Sequence, residues 1–419
     1  MSPLRRTCAL ALLLVSTGCF LGDRGDRVVP VRLVAPAYET LFPHYAQLCA
    51  VSRFHRIGVE RGGNAGHAVL YLKGVCRVAD APYPTLALCP ERVDDVHDPR
   101  HGVGVSVNAA FKNVNWVAYP GRHLFFDGNL GEGDVLDQAH FEATIQTIVD
   151  QHLLRGVEVR EDRLTGILPG TLEHRIAESL LGTDTAIRFA RSVWCTSLPL
   201  ERPQMEAMVG YLNDLNRTYA TGERSYAYSL LSDNCVDALH NSLAAAGVWP
   251  HKTHYRLFAR RLMNIGVPAN EVVGFGARVG LFPVEDFASV YADETMRASL
   301  ERSDSLPARY GGITQSVPVH RPNELYDTSL QMYVVEGPSK PESKRARELI
   351  EDARFTDLAT NLRYWEERYR RIVDAPPERA GWLDDRARFA RLQERYRAYA
   401  AAQLADVRRL LDGTVASAR

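Results

Sequence analysis

The stretch "DNCVDALHNSLAAAG" (233–247) places a cysteine where it can do chemistry. Val236, Leu239 and Leu243 recur at helical spacing and Gly247 ends the run, so the stretch predicts a helix. Asn234 is among the best N-cap residues. Asp237, three positions on, completes a capping-box-like start and favours the positive end of the helix dipole. Cys235 then occupies the first helical position, where unpaired N–H groups and the dipole stabilise a thiolate. Such sites lower a cysteine pKa from about 8.5 into roughly the 3.5–7.5 range. The chemistry is attack on an ester or amide carbonyl, with N–H groups at the helix start, that of Cys235 included, stabilising the oxyanion beside Asn234. The plainer alternative is a small buried hydrophobe.

A thiol nucleophile needs a base. His240 lies five residues along the same helix, about 500° of rotation and roughly 7.5 Å of rise, and so faces elsewhere. His67 fits better. It begins the alternating run "HAVLYLK", follows Ala65 and Gly66, and shares a face with Val69, Tyr71 and Lys73, opposite Ala68, Leu70 and Leu72. A helix carrying Cys235 across the His67 face would bring thiol and imidazole together. A second alternating run, "GVGVSVNAAF" (102–111), sets Val103, Val105 and Val107 against a small polar face of Gly104, Ser106 and Asn108. Asn108, with Ser106 behind it, is the candidate to hold the far nitrogen of the His67 ring.

The elements around these residues follow from the same patterns. "YETLFPHYAQLCAV" (38–51) reads as a helix, "NWVAYPGRHLFFDG" as a third strand and a turn, and residues 135–195 as helical. Amphipathic helices are expected at 200–219 and in "YRLFARRLMNIG" (255–266), and a strand in "LQMYVVEG" (330–337). From residue 339 the chain turns dense in Arg, Glu and Asp with spaced Leu, Tyr and Trp, which predicts a helical hairpin broken at Pro376 and Pro377. The organisation is a signal segment (1–19), an α+β domain (20–338) and a charged helical appendage (339–419).

Composition narrows the function classes. With 419 residues, 46% hydrophobic content and a net charge of −1, the chain buries a sizeable core and offers no global field to gather nucleic acid. Arg5 and Arg6, the apolar run "ALALLLV" and "STGC" ending at Cys19 form an export signal, with Cys19 at a lipobox-like cleavage point. Lipidation there would anchor the chain to the periplasmic side of a bacterial membrane, with Phe20 favouring the outer one. Five further cysteines remain, Cys49, Cys76, Cys89, Cys195 and Cys235. An odd count in an oxidising compartment leaves one thiol over, and Cys235 is the one assigned as free. Cys76 and Cys89 flank a Pro-containing loop that they could close. "HDPRH" (97–101) is not read as a metal site, because Pro99 prevents helical i, i+4 presentation, and the chemistry requires no cofactor.

"GHAVLYL", "WCTSLPLERPQMEAMVGYLNDL" and the aromatic lead into "DNC" together resemble the Lnb-type N-terminal periplasmic domain family. That group is related in plan to circularly permuted NlpC-like papain-fold enzymes and to lecithin:retinol acyltransferase. The resemblance covers roughly residues 60–250. It implies a permuted papain-like α+β fold, with Cys235 as nucleophile, His67 as general base and Asn234 as the Asn of the motif. Members include a lipoprotein N-acyltransferase, so it also implies acyl transfer through a thioester, with a lipid or lipoprotein as acyl donor and acceptor. Hydrolysis of peptidoglycan peptide bonds and a non-catalytic binding scaffold are the alternatives. The N-terminal reading is tested by mass spectrometry of the mature protein, which should find diacylglyceryl-cysteine at Cys19. An unmodified N-terminus elsewhere would refute it.

Overall fold

Pro43 is the first place where local pattern and tertiary structure part. The computed structural model describes residues 36–58, 66–90, 101–164, 169–229, 233–249, 268–281, 286–302, 306, 309–328 and 348–417. Instead of one helix over 38–51, a short helix α1 (Pro36–Leu41) is followed by strand β1 (Tyr45–Val51). Proline lacks the N–H to continue a helix, and its ring crowds the preceding turn. Every residue of β1 is buried, so its apolar run serves two covered faces rather than one helical stripe.

Strand β1 lies inside a six-stranded sheet. The other members are β2 (His67–Lys73), β5 (Gly102–Val107), β6 (Trp116–Pro120), β7 (Val193–Pro199) and β8 (Ile313–Val317), while β3 (Val75–Arg77) and β4 (Leu86–Leu88) pair separately. The order is β6-β5-β2-β1-β7-β8, antiparallel throughout. The chain is therefore a mixed helix-and-strand protein built on an antiparallel sheet. Register fixes the site's neighbourhood: Val51 opposes both His67 and Val193, and Val69 opposes Ser106. Opposed residues share a face, so His67 and Ser106 stand on the face of Gln47, Cys49, Tyr71 and Gly104.

Helices cover both faces. On the His67 face sits α2 (Arg122–Asp127), whose Phe125 ring takes the space a side chain at Gly104 would need, with Cδ2 1.9 Å from where its Cβ would stand. Arg122 Nη1 donates to Gln47 Oε1 at 2.7 Å. Helices α3 (Gln138–Asp150) and α4 (Leu172–Leu180) follow in the chain. The segment 135–195 is thus only partly helical: after α4 it turns through "LGTDTA" and enters β7 at Val193. Three helices, α5 (Arg202–Ala220), α6 (Cys235–Ala245) and α7 (Pro268–Leu281), pack on the Leu48, Leu70 and Val105 face. Trp116 Nε1 donates to the Leu212 carbonyl at 2.7 Å, and Gly276 brings α7 against Thr196.

The remaining helices are α8 (Phe287–Ala292), α9 (Glu294–Arg302), α10 (Ala353–Thr356), α11 (Leu358–Asp374) and α12 (Arg386–Ser417). The last two form the expected hairpin, with Pro376 and Pro377 between them. The hairpin is bonded to the start of β8: the Gly311 N–H donates to Asn361 Oδ1 at 2.8 Å and the Tyr310 N–H to the Tyr369 hydroxyl at 3.2 Å. Leu362, Trp365 and Tyr396 belong to the same apolar core as β1 and β2. Cys19 and the rest of residues 1–19, "YRLFARRLMNIG", "LQMYVVEG" and residues 97–100 lie outside the described residues. Among the described residues no helix is long and apolar enough to cross a membrane.

Two disulfides join elements. Cys49 and Cys195 face each other across β1 and β7, and Cys76 pairs with Cys89 beside β3 and β4, which leaves Cys235 free. Alkylation of the unfolded, unreduced protein should therefore label Cys235 and none of the other four. The Cys49–Cys195 bond spans 146 residues and the Cys76–Cys89 bond 13. Replacing both Cys49 and Cys195 by Ala should lower stability by about 2–5 kcal/mol in urea denaturation, and more than the same change at Cys76 and Cys89, if loop closure in the unfolded chain is the source. Equal losses would reject that source.

Candidate active site

The thiol is positioned by the turn before it. Asp233 holds the left-handed φ of +55°, a conformation that Asp tolerates better than most residues. It is fixed there by the Tyr219 hydroxyl on Oδ1 at 3.0 Å and Arg224 Nη2 on Oδ2 at 2.5 Å. Tyr226 adds a hydroxyl bond to the Asn108 carbonyl at 3.2 Å, so the aromatic lead-in ties this turn to the end of β5. Asn234 then takes extended geometry, and its Oδ1 accepts from the Asp237 N–H at 2.9 Å. The cap predicted from sequence is present, and Cys235 begins α6, buried at 3% exposure.

The base is positioned by Gly66, whose φ is +76°. A Cβ there would come within 2.7 Å of the Val51 carbonyl oxygen, so only glycine lets the chain enter β2 at this angle. His67 Nε2 lies 2.8 Å from Ser106 Oγ. Ser106 donates its hydroxyl proton to Asp184 Oδ1, so its oxygen is the acceptor for Nε2–H. Asn108 Nδ2 donates to Asp184 Oδ2 at 2.6 Å. With Nε2 committed, Nδ1 is the nitrogen left for the sulfur, and His67 and Cys235 are hydrogen-bonded. The sulfur also accepts from the Ala68 N–H and the Tyr228 hydroxyl. Ala68 lies just past the last β2–β5 pair, Val69 with Ser106, so its N–H is available where the ladder opens.

Electrostatics favours the ion pair. Burial would pull the His67 imidazole down, but the Cys235 charge, the Asp184 carboxylate 3.6 Å from Nε2 and the hydrogen bond with Cys235 raise it to about 9. Burial would likewise push the Cys235 thiol up, and the His67 charge and hydrogen bond, with those from Ala68 and Tyr228, bring it below its ordinary value. The Cys235 charge, ahead of burial, raises the Tyr228 hydroxyl far above its usual range, so that it stays a donor. Between the two pKa values the site holds a thiolate beside an imidazolium.

The structure brings Cys235, His67 and Asn108 to one place, with two corrections. Asn108 does not touch the imidazole; Ser106 does, and Asn108 sits one step back on Asp184, because it lies beyond the end of β5 at Val107. Helix α6 does not cross the His67 face either. It packs on the opposite face, and its first turn meets the imidazole at the end of β2. His240 pairs with Glu271 and stays out of the site, as its helical phase requires.

Two residues escaped the sequence reading. Asp184 is fully buried in a turn within a stretch read as helical, where the Gly182, Thr183 and Asp184 run was the available signal. Tyr228 lay within the aromatic lead-in, and nothing local told which of its tyrosines faces the sulfur. No family model, curated protein or solved structure matches the chain. Among the described residues, no three His, Cys, Asp or Glu side chains gather as metal ligands.

The pH dependence of Cys235 alkylation by iodoacetamide tests this electrostatic arrangement. Half-maximal reactivity should fall below the roughly 8.5 of an ordinary cysteine, because the thiolate forms early. His67→Ala should move it upward, and Asp184→Asn should do so by a smaller amount. A wild-type midpoint at the ordinary value would show that no ion pair forms.

Proposed function

We propose that the chain is a thiol enzyme that moves or hydrolyses an acyl group through an acyl-Cys235 intermediate. The observation that carries this reading is the buried Cys235–His67 pair, backed through Ser106 by the Asp184 carboxylate. A buried free cysteine alone would be an inert small hydrophobe. Coupled to an oriented imidazole and placed at a helix start, it has the parts of an activated nucleophile.

The thiolate attacks the carbonyl carbon of an ester or amide, forming the C–S bond and placing the charge on oxygen. The Cys235 N–H, on the free first turn of α6, faces that charge. His67 Nδ1–H then protonates the leaving alcohol or amine as its bond to carbon breaks. In the second half, His67 takes a proton from an incoming amine or water. Attack on the thioester forms the new C–N or C–O bond, and C–S cleavage returns the thiolate beside the imidazolium. Ser106 and Asp184 hold the ring in the tautomer that both steps need.

The chain order, with the strand His before the Asn-Cys helix, and the packing of that helix on an antiparallel sheet support a permuted papain-like fold of the Lnb type. Two disulfides support work in an oxidising compartment, in keeping with an N-terminal lipid anchor at Cys19 and an envelope substrate. Lipid or lipoprotein acyl groups are the substrate class this reading favours.

Incubation with an acyl-thioester analogue followed by intact-mass measurement provides the test. Wild type should gain one acyl group, Cys235→Ser none, and His67→Ala should be acylated at least about 10²-fold more slowly. Circular dichroism should show all three folded, since Ser is tolerated at a helix start. Equal acylation of wild type and Cys235→Ser would leave a non-catalytic scaffold as the better reading.

A further inference from the structure

Arg191 is the residue in this neighbourhood that the proposed mechanism does not use. It is buried at 2% exposure, two residues before β7 begins at Val193. Val193 opposes Val51, which opposes His67, so Arg191 stands at the same end of the sheet as the thiol and the imidazole. Its guanidinium carbon lies 4.4 Å from the Phe54 ring centroid, and its Nε and Nη1 have no hydrogen-bond partner in the structure. The charges that act on it are those of Asp184, Tyr326 and Cys235, and burial pulls it down to about 10, still charged at neutral pH.

An arginine in this setting is costly to the fold. A buried cation is ordinarily retained with a full set of hydrogen bonds, since desolvation otherwise goes uncompensated. Asp184 acts on it as a charge and not as a partner to Nε or Nη1; its oxygens accept from Ser106 and Asn108. The guanidinium therefore has donors in hand beside a nucleophile, in a rigid fork that matches a carboxylate or phosphate.

We propose that Arg191 is an anion-binding residue of the Cys235 site, and that the acyl donor the site accepts carries a carboxylate or phosphate oxyanion near its scissile carbonyl. The donor's oxyanion bonds the free Nε and Nη1 while its carbonyl meets the sulfur. This selects charged donors over neutral ones of the same length. The inference rests on Cys235 being the reactive thiol of the proposed function.

The test compares alkylation of Cys235 by iodoacetate, an anion, with that by neutral iodoacetamide, in wild type and in Arg191→Gln. Relative to free cysteine, wild type should favour iodoacetate by roughly tenfold or more, the worth of one hydrogen bond to a charged group. In Arg191→Gln the iodoacetate rate should fall further than the iodoacetamide rate, so that the preference is lost, and Arg191→Lys should keep part of it. Inorganic phosphate and acetate, added separately, should slow the iodoacetate reaction of wild type alone. The stronger competitor tells a phosphoryl from a carboxylate partner.

Arg191→Gln should also melt no lower than wild type, because Nε and Nη1 have no hydrogen bond to lose. An unchanged preference in Arg191→Gln overturns the proposal, and so does a thiol that neither reagent reaches. A variant that fails to fold assigns Arg191 to the scaffold and overturns it too. Retained preference without acyl-enzyme formation would reject the acyl-transfer mechanism and leave the anion site standing. Acyl-enzyme formation without the preference would do the reverse.

Discussion

A fully buried carboxylate, that of Asp184, is the group on which the site's geometry depends. Removing a carboxylate from water costs several kcal/mol unless its oxygens are bonded. Here Ser106 and Asn108 bond one oxygen each. That arrangement satisfies the charge and also orients protons. Because Ser106 gives its proton to Asp184, it can only accept from His67, which fixes the protonated Nε2 and turns Nδ1 toward the sulfur. One electrostatic requirement thus propagates through a hydroxyl to the tautomer of an imidazole about two residues' reach away.

The sheet makes that relay possible. Its layers place His67 and Ser106 on one face, one strand apart, and bring Cys235 to the end of β2 from helices packed on the other face. Ladder bonds hold the strands, and where the β2–β5 ladder ends, the Ala68 N–H is released to serve the thiolate. The site therefore lies at the opening of a sheet, where backbone donors become free without leaving the core. Cys49–Cys195 ties β1 to β7 on the face of His67, and the α11–α12 hairpin is bonded to the start of β8. The disulfide clamps two inner strands and the hairpin holds the edge strand of the sheet whose other end carries the reacting groups.

Three conflicts with stability lie at this end. Asp233 is left-handed, Cys235 and His67 form a buried ion pair, and Arg191 holds unbonded donors in the interior. Elsewhere the interior is largely aromatic and aliphatic, from Trp116 and Phe125 to Trp365 and Tyr369, with buried polar groups such as Asn216, the His240–Glu271 pair and Arg309 set among them. Local departures of this kind are expected where a fold keeps groups ready for a ligand or a reaction.

Sequence by itself determined the capped helix start at Asn234, the strand beginning at His67, the odd cysteine and the hairpin broken at Pro376 and Pro377. Each is a local matter: a cap, a period of two, a count, a missing N–H. What only the tertiary structure decided was non-local. The helical pattern of 38–51 gave way to a strand because two neighbours were waiting to pair with it. Asp184 entered the site because a turn between α4 and β7 folds under β5, a contact spanning 78 residues from Ser106. Asn108 lost the imidazole to Ser106 because the β2–β5 ladder stops at Val69 and Ser106, short of Asn108, whose amide turns to Asp184 instead. Alternation along a strand tells which residues share a face, but only pairing tells which of them reach the same atom.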